Sequence, residues 1–249
     1  MDAIVQFILK LSSLDVTLIK ISEATKDSFF MSIESRVTKT GPVPATMSSM
    51  TVEMVFRGGC FGKLVLPEVK TSPSGASVNI YDQPIRILDM TAFCAFVDAL
   101  MNDEELILTL ENGACTIRSL FMTGRCTYRK DVRLCGMNGP RVHLLDVSPN
   151  STTLVFDNPS ALEIDHGIVI FNICASDDND RPLARLQGPL VIVRGECRLN
   201  LSITRNPGKP VTNKTKLVGV GGESDAWTSE TIKFIHTALE LTDHFLAFY

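Results

Sequence analysis

Residues 168–173 constrain the fold of this chain more than any other part of the sequence. Their letters, IVIFNI, put apolar side chains on both faces of an extended strand. A strand with two apolar faces is expected in the middle of a sheet, where it is covered on both sides.

Further strands are predicted around this one. Residues 151–157 (STTLVFD) are rich in β-branched and aromatic residues and stop at the turn residues 158–160 (NPS). Residues 190–193 and 197–204 alternate polar and apolar, as half-buried strands do. The polar residues 176–182 between them are too turn-prone to bury, which predicts an exposed hairpin loop.

The first half of the chain repeats this order. Strands predicted at residues 28–38 and 50–56, followed by a long strand and a helix, match the strands at 151–157 and 168–173 and what comes after them. The sequence therefore predicts a mainly β fold of two tandem β-sandwich domains, residues 1–139 and 140–249. The turn residues 138–140 mark the boundary.

Each predicted domain carries helices. In the first, an amphipathic N-terminal helix caps the core, and Asp89 caps a helix over 89–102. In the second, a glycine-rich connector at 208–224 leads to a helix over 228–248. Two apolar stripes run along that last helix, and one domain covers only one of them.

Charge and cysteine content exclude several classes of protein. The formal net charge of -4 comes from 24 basic and 28 acidic residues spread without long runs, which is unlike a nucleic-acid-binding surface. Seven cysteines form no CxxC pair, so no metal site is predicted. An odd number of cysteines, mostly in apolar runs, favours a reducing compartment, and we expect a cytoplasmic protein. The N-terminal segment is neither a signal peptide nor a membrane span.

Several turn motifs in the sequence resemble those of a known family. Residues 40–46 match the pattern T-G-P-x-P-A-T, residues 130–139 match K-x-V-x-L-x-G-x-N-G, and the NPS turn is followed by the strand at 168–173. These motifs resemble a fungal domain family of unknown function that contains the late-embryogenesis-abundant type 2 (water-stress and hypersensitive-response) β-sandwich. The resemblance covers the chain to about residue 208 and implies the fold and a fungal source. Family members often carry a membrane helix before the first sandwich, and this chain begins where that helix would end, which implies a soluble member.

No catalytic motif is present in the sequence. GxSxG, HExxH, Walker and Rossmann patterns are all missing, so any catalysis would proceed without a cofactor or metal. Shape, desolvation and a few hydrogen bonds would then act on a reactive substrate.

Three functions remain open. In the first, an apolar pocket beside the C-terminal helix binds a hydrophobic small molecule and steers an isomerisation or a Diels-Alderase-like cyclisation of a terpenoid or polyketide in fungal secondary metabolism. Apolar contacts would come from Trp227, Phe234, Leu241, Phe245 and Phe248, and polar contacts from Tyr81, Tyr128, His143 and His236. The second is a non-catalytic lipid-binding or stress-protective sandwich, and the third is a structural module that forms a homodimer through the last helix.

Overall fold

Alternation of apolar and polar residues gives this chain a mainly β, sandwich-like fold, as expected from the sequence. The structure is a computed structural model that describes residues 2–120, 122–175, 182–206 and 214–247. In chain order its strands are β1 (Ser13–Ser22), β2 (Ser28–Thr38), β3 (Ala45–Met47), β4 (Met50–Phe56), β5 (Gly59–Leu66), β6 (Val69–Thr71), β7 (Ala76–Arg86), β8 (Glu105–Ser119), β9 (Met122–Cys135), β10 (Arg141–Val147), β11 (Ser151–Asn158), β12 (Leu162–Ala175), β13 (Ala184–Ile192), β14 (Gly195–Arg205), β15 (Thr215–Gly222) and β16 (His236–Leu239).

Four short or medium helices accompany the strands. They are α1 (Asp2–Leu11), α2 (Met90–Asn102), α3 (Trp227–Thr231) and α4 (Asp243–Ala247), with a 3₁₀ turn over Ile232–Phe234. The predicted N-terminal helix and the predicted helix at 89–102 are confirmed. Asp89 caps α2 as expected, because its Oδ1 accepts a hydrogen bond from the Ala92 amide at 3.0 Å.

The chain divides into two compact units. Unit 1 contains the chain up to Ser22, Asp27–Phe96 and Glu105–Leu134, and unit 2 contains Glu23–Lys26, Val97–Glu104 and the chain from Cys135 onward. Short segments of the first half of the chain therefore belong to unit 2. The division into tandem domains 1–139 and 140–249 stays a prediction.

Unit 1 has a sheet on each side of its core. One sheet has β2 between β1 and β7, and the other has the order β5-β4-β8-β3-β6, with β9 beside β8. Aromatic rings of α2 close one part of this core, since Phe93 stacks on Phe29 with ring centroids 5.3 Å apart and Phe96 stacks on Phe61 at 4.9 Å.

Unit 2 is built on the strand order β10-β11-β14-β13-β12-β15-β16. The strand predicted to be central is confirmed as such, because β12 pairs antiparallel with both β13 and β15. The first and last strands of this order approach each other: the Thr237 hydroxyl on β16 donates to the carbonyl oxygen of Pro140, just before β10, at 2.7 Å.

The two units share a pattern of strand pairing. In unit 1, β2 lies between β1 and β7, and β4 lies between β5 and β8. In unit 2, β11 lies between β10 and β14, and β12 lies between β13 and β15. The pairs that correspond in this comparison are those that the sequence repeat relates, β2 to β11 and β4 to β12. The helices do not correspond, because α2 precedes β8 whereas α3 follows β15.

The continuous helix predicted over 228–248 is wrong. That segment is broken into α3, the 3₁₀ turn, β16 and α4, and β16 pairs antiparallel with β15. Ile235 and the residues of β16 alternate between more buried and more exposed positions, which is the period of a strand. In the sequence, the spacing of the apolar residues over this short segment fits a helix as well as a strand. The free edge of β15 offers backbone hydrogen bonds that select the extended form.

The predicted flexible connector at 208–224 is also corrected where it is described. Residues 215–222 form β15, and the Gly219 amide donates to the Ile235 carbonyl oxygen at 2.9 Å. A Cβ on Gly219 would overlap the carbonyl oxygen of Ile232. The glycine therefore allows close approach of two backbones and does not mark a hinge. The polar loop predicted at 176–182 lies outside the described residues except for its last position.

Candidate functional site

A cavity of about 120 Å³ lies inside unit 1, between its two sheets. Each of the strands β1 to β9 contributes to its lining, and α1 and α2 contribute Leu9 and Phe96. Most lining side chains are aliphatic, because the inward positions of alternating strands are where the sequence places valine, leucine, isoleucine and methionine. A cavity with so small a volume and so many lining residues is narrow.

Most polar groups in the lining are already hydrogen-bonded to the backbone. The hydroxyls of Ser35, Thr40 and Thr71 donate to carbonyl oxygens at 2.6, 2.8 and 3.2 Å. Ser12 Oγ likewise donates to the Leu9 carbonyl oxygen at 2.7 Å. Since these hydroxyls have partners, they offer little to a polar guest, and the cavity wall is chemically close to hydrocarbon.

Lys130 is the charged residue in the lining, and its ammonium group is fully engaged. Nζ donates to the Leu9 carbonyl oxygen at 2.9 Å, to the Ser12 carbonyl oxygen, and to Ser12 Oγ at 3.1 Å. These three acceptors use all three protons of the ammonium group. Burial lowers the pKa of Lys130, and the neighbouring Asp131 opposes that change to a smaller extent. Lys130 thus binds the C-terminal end of α1, where helix carbonyls lack partners and cations are favoured.

Tyr128 also lines this cavity, and its side chain carries a hydroxyl group. Its ring is 5% exposed, and no hydrogen bond to its hydroxyl occurs within the described part of the chain. Burial raises the pKa of Tyr128, and the nearby Cys115 thiol raises it further. The hydroxyl is therefore a neutral donor and acceptor at physiological pH, suited to one hydrogen bond with a guest molecule.

The four predicted polar residues are divided between the two units. Tyr128 lines the cavity, but Tyr81 is 71% exposed on β7 of the same unit, with its hydroxyl accepting a hydrogen bond from Asn79 Nδ2 at 3.1 Å. His143 on β10 and His236 on β16 belong to unit 2 and are both exposed. His236 Nε2 lies 2.9 Å from the carbonyl oxygen of Lys233.

The predicted apolar ligand-binding residues also lie elsewhere. None of the four that the structure describes, Trp227, Phe234, Leu241 and Phe245, lines the cavity of unit 1. Trp227 and Phe245 are buried in unit 2, Phe234 and Leu241 are half-buried, and Phe248 lies outside the described residues. The Arg205 guanidinium covers the Phe245 ring at 5.5 Å from its centroid, which is a packing contact. Because the two apolar stripes needed a continuous helix, the argument that joined these residues into one site no longer holds.

One feature of the sequence, a lysine among the inward-facing positions of β9, indicated the cavity. It is easily missed because the neighbouring inward positions are mostly apolar. On β9, Tyr128, Lys130, Val132 and Leu134 all lie at positions of the same parity and all line the cavity. A lysine at an inward position between a tyrosine and a valine marks a buried cation, which requires partners. Only the tertiary structure supplies them, in the end of α1.

Comparison with known proteins gives limited information on this chain. A family described as protein of unknown function (DUF3712) matches residues 60–173. No curated protein matches the chain. The fungal source and the relation to the late-embryogenesis-abundant type 2 sandwich stay predictions.

Solved structures align with the chain only at low similarity. CBD12 from CALX1.2 has 11% identity and a TM-score of 0.23, with 92% of this chain and 100% of that chain covered. Red sea bream transglutaminase has 13% identity and a TM-score of 0.25, with 92% and 31% covered. The periplasmic chaperone SfaE has 10% identity and a TM-score of 0.18, with 92% and 97% covered. Similarity at this level supports no conclusion about the function of this chain.

Within residues 2–120, 122–175, 182–206 and 214–247, no helix is both long enough and apolar enough to cross a membrane.

Proposed function

We propose that this protein binds a hydrophobic small molecule, or the acyl chain of a lipid, in the cavity of unit 1. The observation that carries the proposal is the combination of an apolar wall with the hydroxyl of the lining residue Tyr128, which has no hydrogen-bond partner among the residues that the structure describes. Apolar pockets that hold a guest by shape commonly use a small number of polar groups to orient it.

The chemistry of the cavity supports binding more strongly than acid–base catalysis. The Lys130 protons are engaged by α1, and the raised pKa of Tyr128 keeps its proton bound at neutral pH. A cyclisation steered by this cavity would depend on shape and on one hydrogen bond from Tyr128. Non-catalytic lipid binding needs nothing further, so it is the reading we favour.

A series of straight-chain primary alcohols tests this proposal by calorimetric titration of the full chain. Each methylene that enters the cavity is expected to add about 0.8 kcal/mol to binding. The affinity should therefore rise about fourfold per methylene and stop rising when the cavity is full. The chain length at that point measures the depth of the cavity.

Two variants link such binding to the cavity. Val132→Phe places a ring in the lining and should weaken binding at least tenfold, because the added volume occupies the space of the guest. The control Val191→Phe makes the same change at a position 47% exposed on β13 and should leave binding unchanged. Tyr128→Phe preserves the packing and should weaken alcohols about fivefold while leaving the matching alkanes unaffected.

The outcomes separate clearly. Saturable binding that Val132→Phe removes and Val191→Phe preserves supports the proposal. If Val132→Phe does not fold, the difference between alcohols and alkanes in Tyr128→Phe decides the question. The proposal is contradicted if the wild-type chain shows no saturable binding. It is also contradicted if Val132→Phe and Tyr128→Phe both bind as tightly as the wild-type chain.

A further inference from the structure

Three exposed apolar residues of unit 1 lie in or beside two loops that a hydrogen bond joins. Leu120, in the turn between β8 and β9, is 80% exposed, Met122 beside it is 44% exposed, and Val43 is 37% exposed. The Ser119 hydroxyl donates to the Pro44 carbonyl oxygen at 2.8 Å, which fastens the turn to the loop that carries Val43. This hydrogen bond holds the two segments close to each other, and we refer to Val43, Leu120 and Met122 together as the apolar projection.

Leu120 has an unfavourable backbone conformation for its residue type. Its φ is 46°, in the left-handed region that glycine and asparagine adopt more readily than leucine. A leucine at this turn position adds strain and places an apolar side chain in water. Strain of this kind at an exposed apolar residue points to a role in binding.

Two cations lie on the sheet whose strand β8 leads into the turn at Leu120. Thr46 on β3 is opposite Lys70 on β6 and opposite Arg118 on β8. The three side chains therefore share the outer face of this sheet, with the two cations about 10 Å apart across two strand spacings. Both are exposed, and neither has an ion pair within the described residues.

We propose that this surface, formed by Val43, Leu120 and Met122 together with Lys70 and Arg118, binds the face of an anionic lipid bilayer. Leu120, Met122 and Val43 would enter the boundary between head groups and acyl chains, and the two cations would lie at the level of the phosphates. Unpaired cations beside an apolar tip match both layers of such a surface, whereas a nucleic acid has no place for the leucine.

The surface rests on observations separate from the cavity, so either proposal can fail alone. The two do have strands in common. Ala45, Ile117 and Thr71, on β3, β8 and β6, line the cavity from the inner face of the same sheet.

Co-sedimentation of the full chain with vesicles tests this proposal. The vesicles contain either phosphatidylcholine alone or phosphatidylcholine with 30% phosphatidylserine, a composition chosen to give a negative surface. We expect binding to the anionic vesicles that weakens as salt increases, and weak binding to the neutral ones.

Leu120→Asn is the most informative variant. Asparagine suits the left-handed backbone, so the melting temperature should stay the same or increase, while binding to anionic vesicles should fall at least tenfold. Leu88→Asn is the matched control, since Leu88 is a loop leucine 54% exposed elsewhere in unit 1. It should leave binding unchanged.

The cations have a matched test of their own. The double variant Lys70→Gln with Arg118→Gln should weaken binding to anionic vesicles by about 25-fold, or about fivefold for each charge removed. Lys20→Gln with Arg185→Gln changes the net charge equally at two exposed positions and should have little effect.

Several results would overturn the proposal. Equal binding to neutral and anionic vesicles would show that the cations do not contribute to binding. Absence of binding to both kinds of vesicle would show that the surface does not bind a bilayer. An assembly of the wild-type chain that forms without vesicles and disappears in Leu120→Asn, seen by light scattering, would assign the surface to a second copy of this chain instead.

Discussion

His166 shows at the residue scale how a backbone irregularity decides the environment of a side chain. It lies in β12 where the register against β13 shifts between Asp165 and Gly167. His166 is only 3% exposed and lies on the same side as Ile164, and the shift lets burial resume on that side at Val169 with two exposed residues between them. Within the described chain, neither ring nitrogen of His166 has a hydrogen-bond partner of normal geometry.

Burial gives this histidine an unusual titration. It lowers the pKa of His166 to about 4, and the backbone at Ile164 opposes the change to a smaller extent. The unfolded chain binds the proton near pH 6.5 and the folded chain near pH 4. Stability is therefore unaffected above pH 6.5 and falls as the pH decreases from 6.5 to 4, by up to about 3 kcal/mol in total.

We predict that His166→Leu raises the free energy of unfolding at pH 7 by about 1–2 kcal/mol, because two unpaired buried nitrogens are removed. The variant should also lose the part of the acid destabilisation that falls between pH 6.5 and 4. Urea denaturation at several pH values measures both effects. His143→Leu, at an exposed position on β10, is the control and should show neither. An equal pH dependence in wild type and His166→Leu would contradict the assignment.

At the scale of elements, the ten residues 130–139 hold the ends of both longer helices. Lys130 binds the last carbonyls of α1, as described above. At the end of α2, the amides of Gly136, Met137, Asn138 and Gly139 donate to the carbonyl oxygens of Glu104, Leu100, Asp103 and Met101 at 2.8–3.1 Å. The left-handed φ of Asn138 and Gly139 lets successive amides face these carbonyls. Residues 130–139 are the K-x-V-x-L-x-G-x-N-G motif of the sequence. Helix capping explains why its lysine, its asparagine and its two glycines stand at these positions.

The capping role of Lys130 gives a prediction for α1. Lys130→Met keeps the apolar part of the side chain but removes the ammonium donor from the carbonyl oxygens of Leu9 and Ser12, so that Leu9 retains only the hydrogen bond from the Ser12 hydroxyl. We expect a loss of about 2 kcal/mol in stability and faster hydrogen exchange of the α1 amides. Hydrogen-exchange mass spectrometry of the full chain measures the second effect.

Arg129→Met is the matched control for this change. Arg129 lies next to Lys130 on the exposed face, where its ion pair with Glu111 at 3.3 Å is in solvent. Its loss should cost less than about 1 kcal/mol and leave α1 unchanged. Unaltered exchange of α1 in Lys130→Met would show that other contacts hold the helix.

At the scale of the whole molecule, unit 2 depends on residues from the first half of the chain. The Trp227 amide donates to the Thr25 carbonyl oxygen at 3.0 Å, and Asn102 Nδ2 donates to the Phe234 carbonyl oxygen at 3.3 Å. The contacts of residues 136–139 with the end of α2 also belong to this unit. A cut at residue 139 separates Trp227 from Thr25 and Phe234 from Asn102, and it leaves α2 and residues 136–139 together on the other fragment.

We therefore predict that residues 140–249 expressed alone do not unfold cooperatively, because backbone groups that are paired in unit 2 lose their partners. The same residues co-expressed with residues 1–139 should be purified as a complex with the melting transition of the intact chain. Circular dichroism and thermal melts of both preparations measure this. A cooperative transition in 140–249 alone would show that the segments 23–26 and 97–104 are dispensable for unit 2.

The sequence by itself determined the mainly β class, the central position of β12, the bounds of β2 and β4, and the cap of α2. These follow from period-two alternation and from turn and cap residues, which act over a few neighbouring positions. The tertiary structure decided the rest. Within the predicted last helix, residues 236–239 became the strand β16 because β15 offered an unpaired edge. The narrow cavity and the partners of Lys130 exist only where residues distant in sequence meet, and local periodicity carries no information about which residues those are.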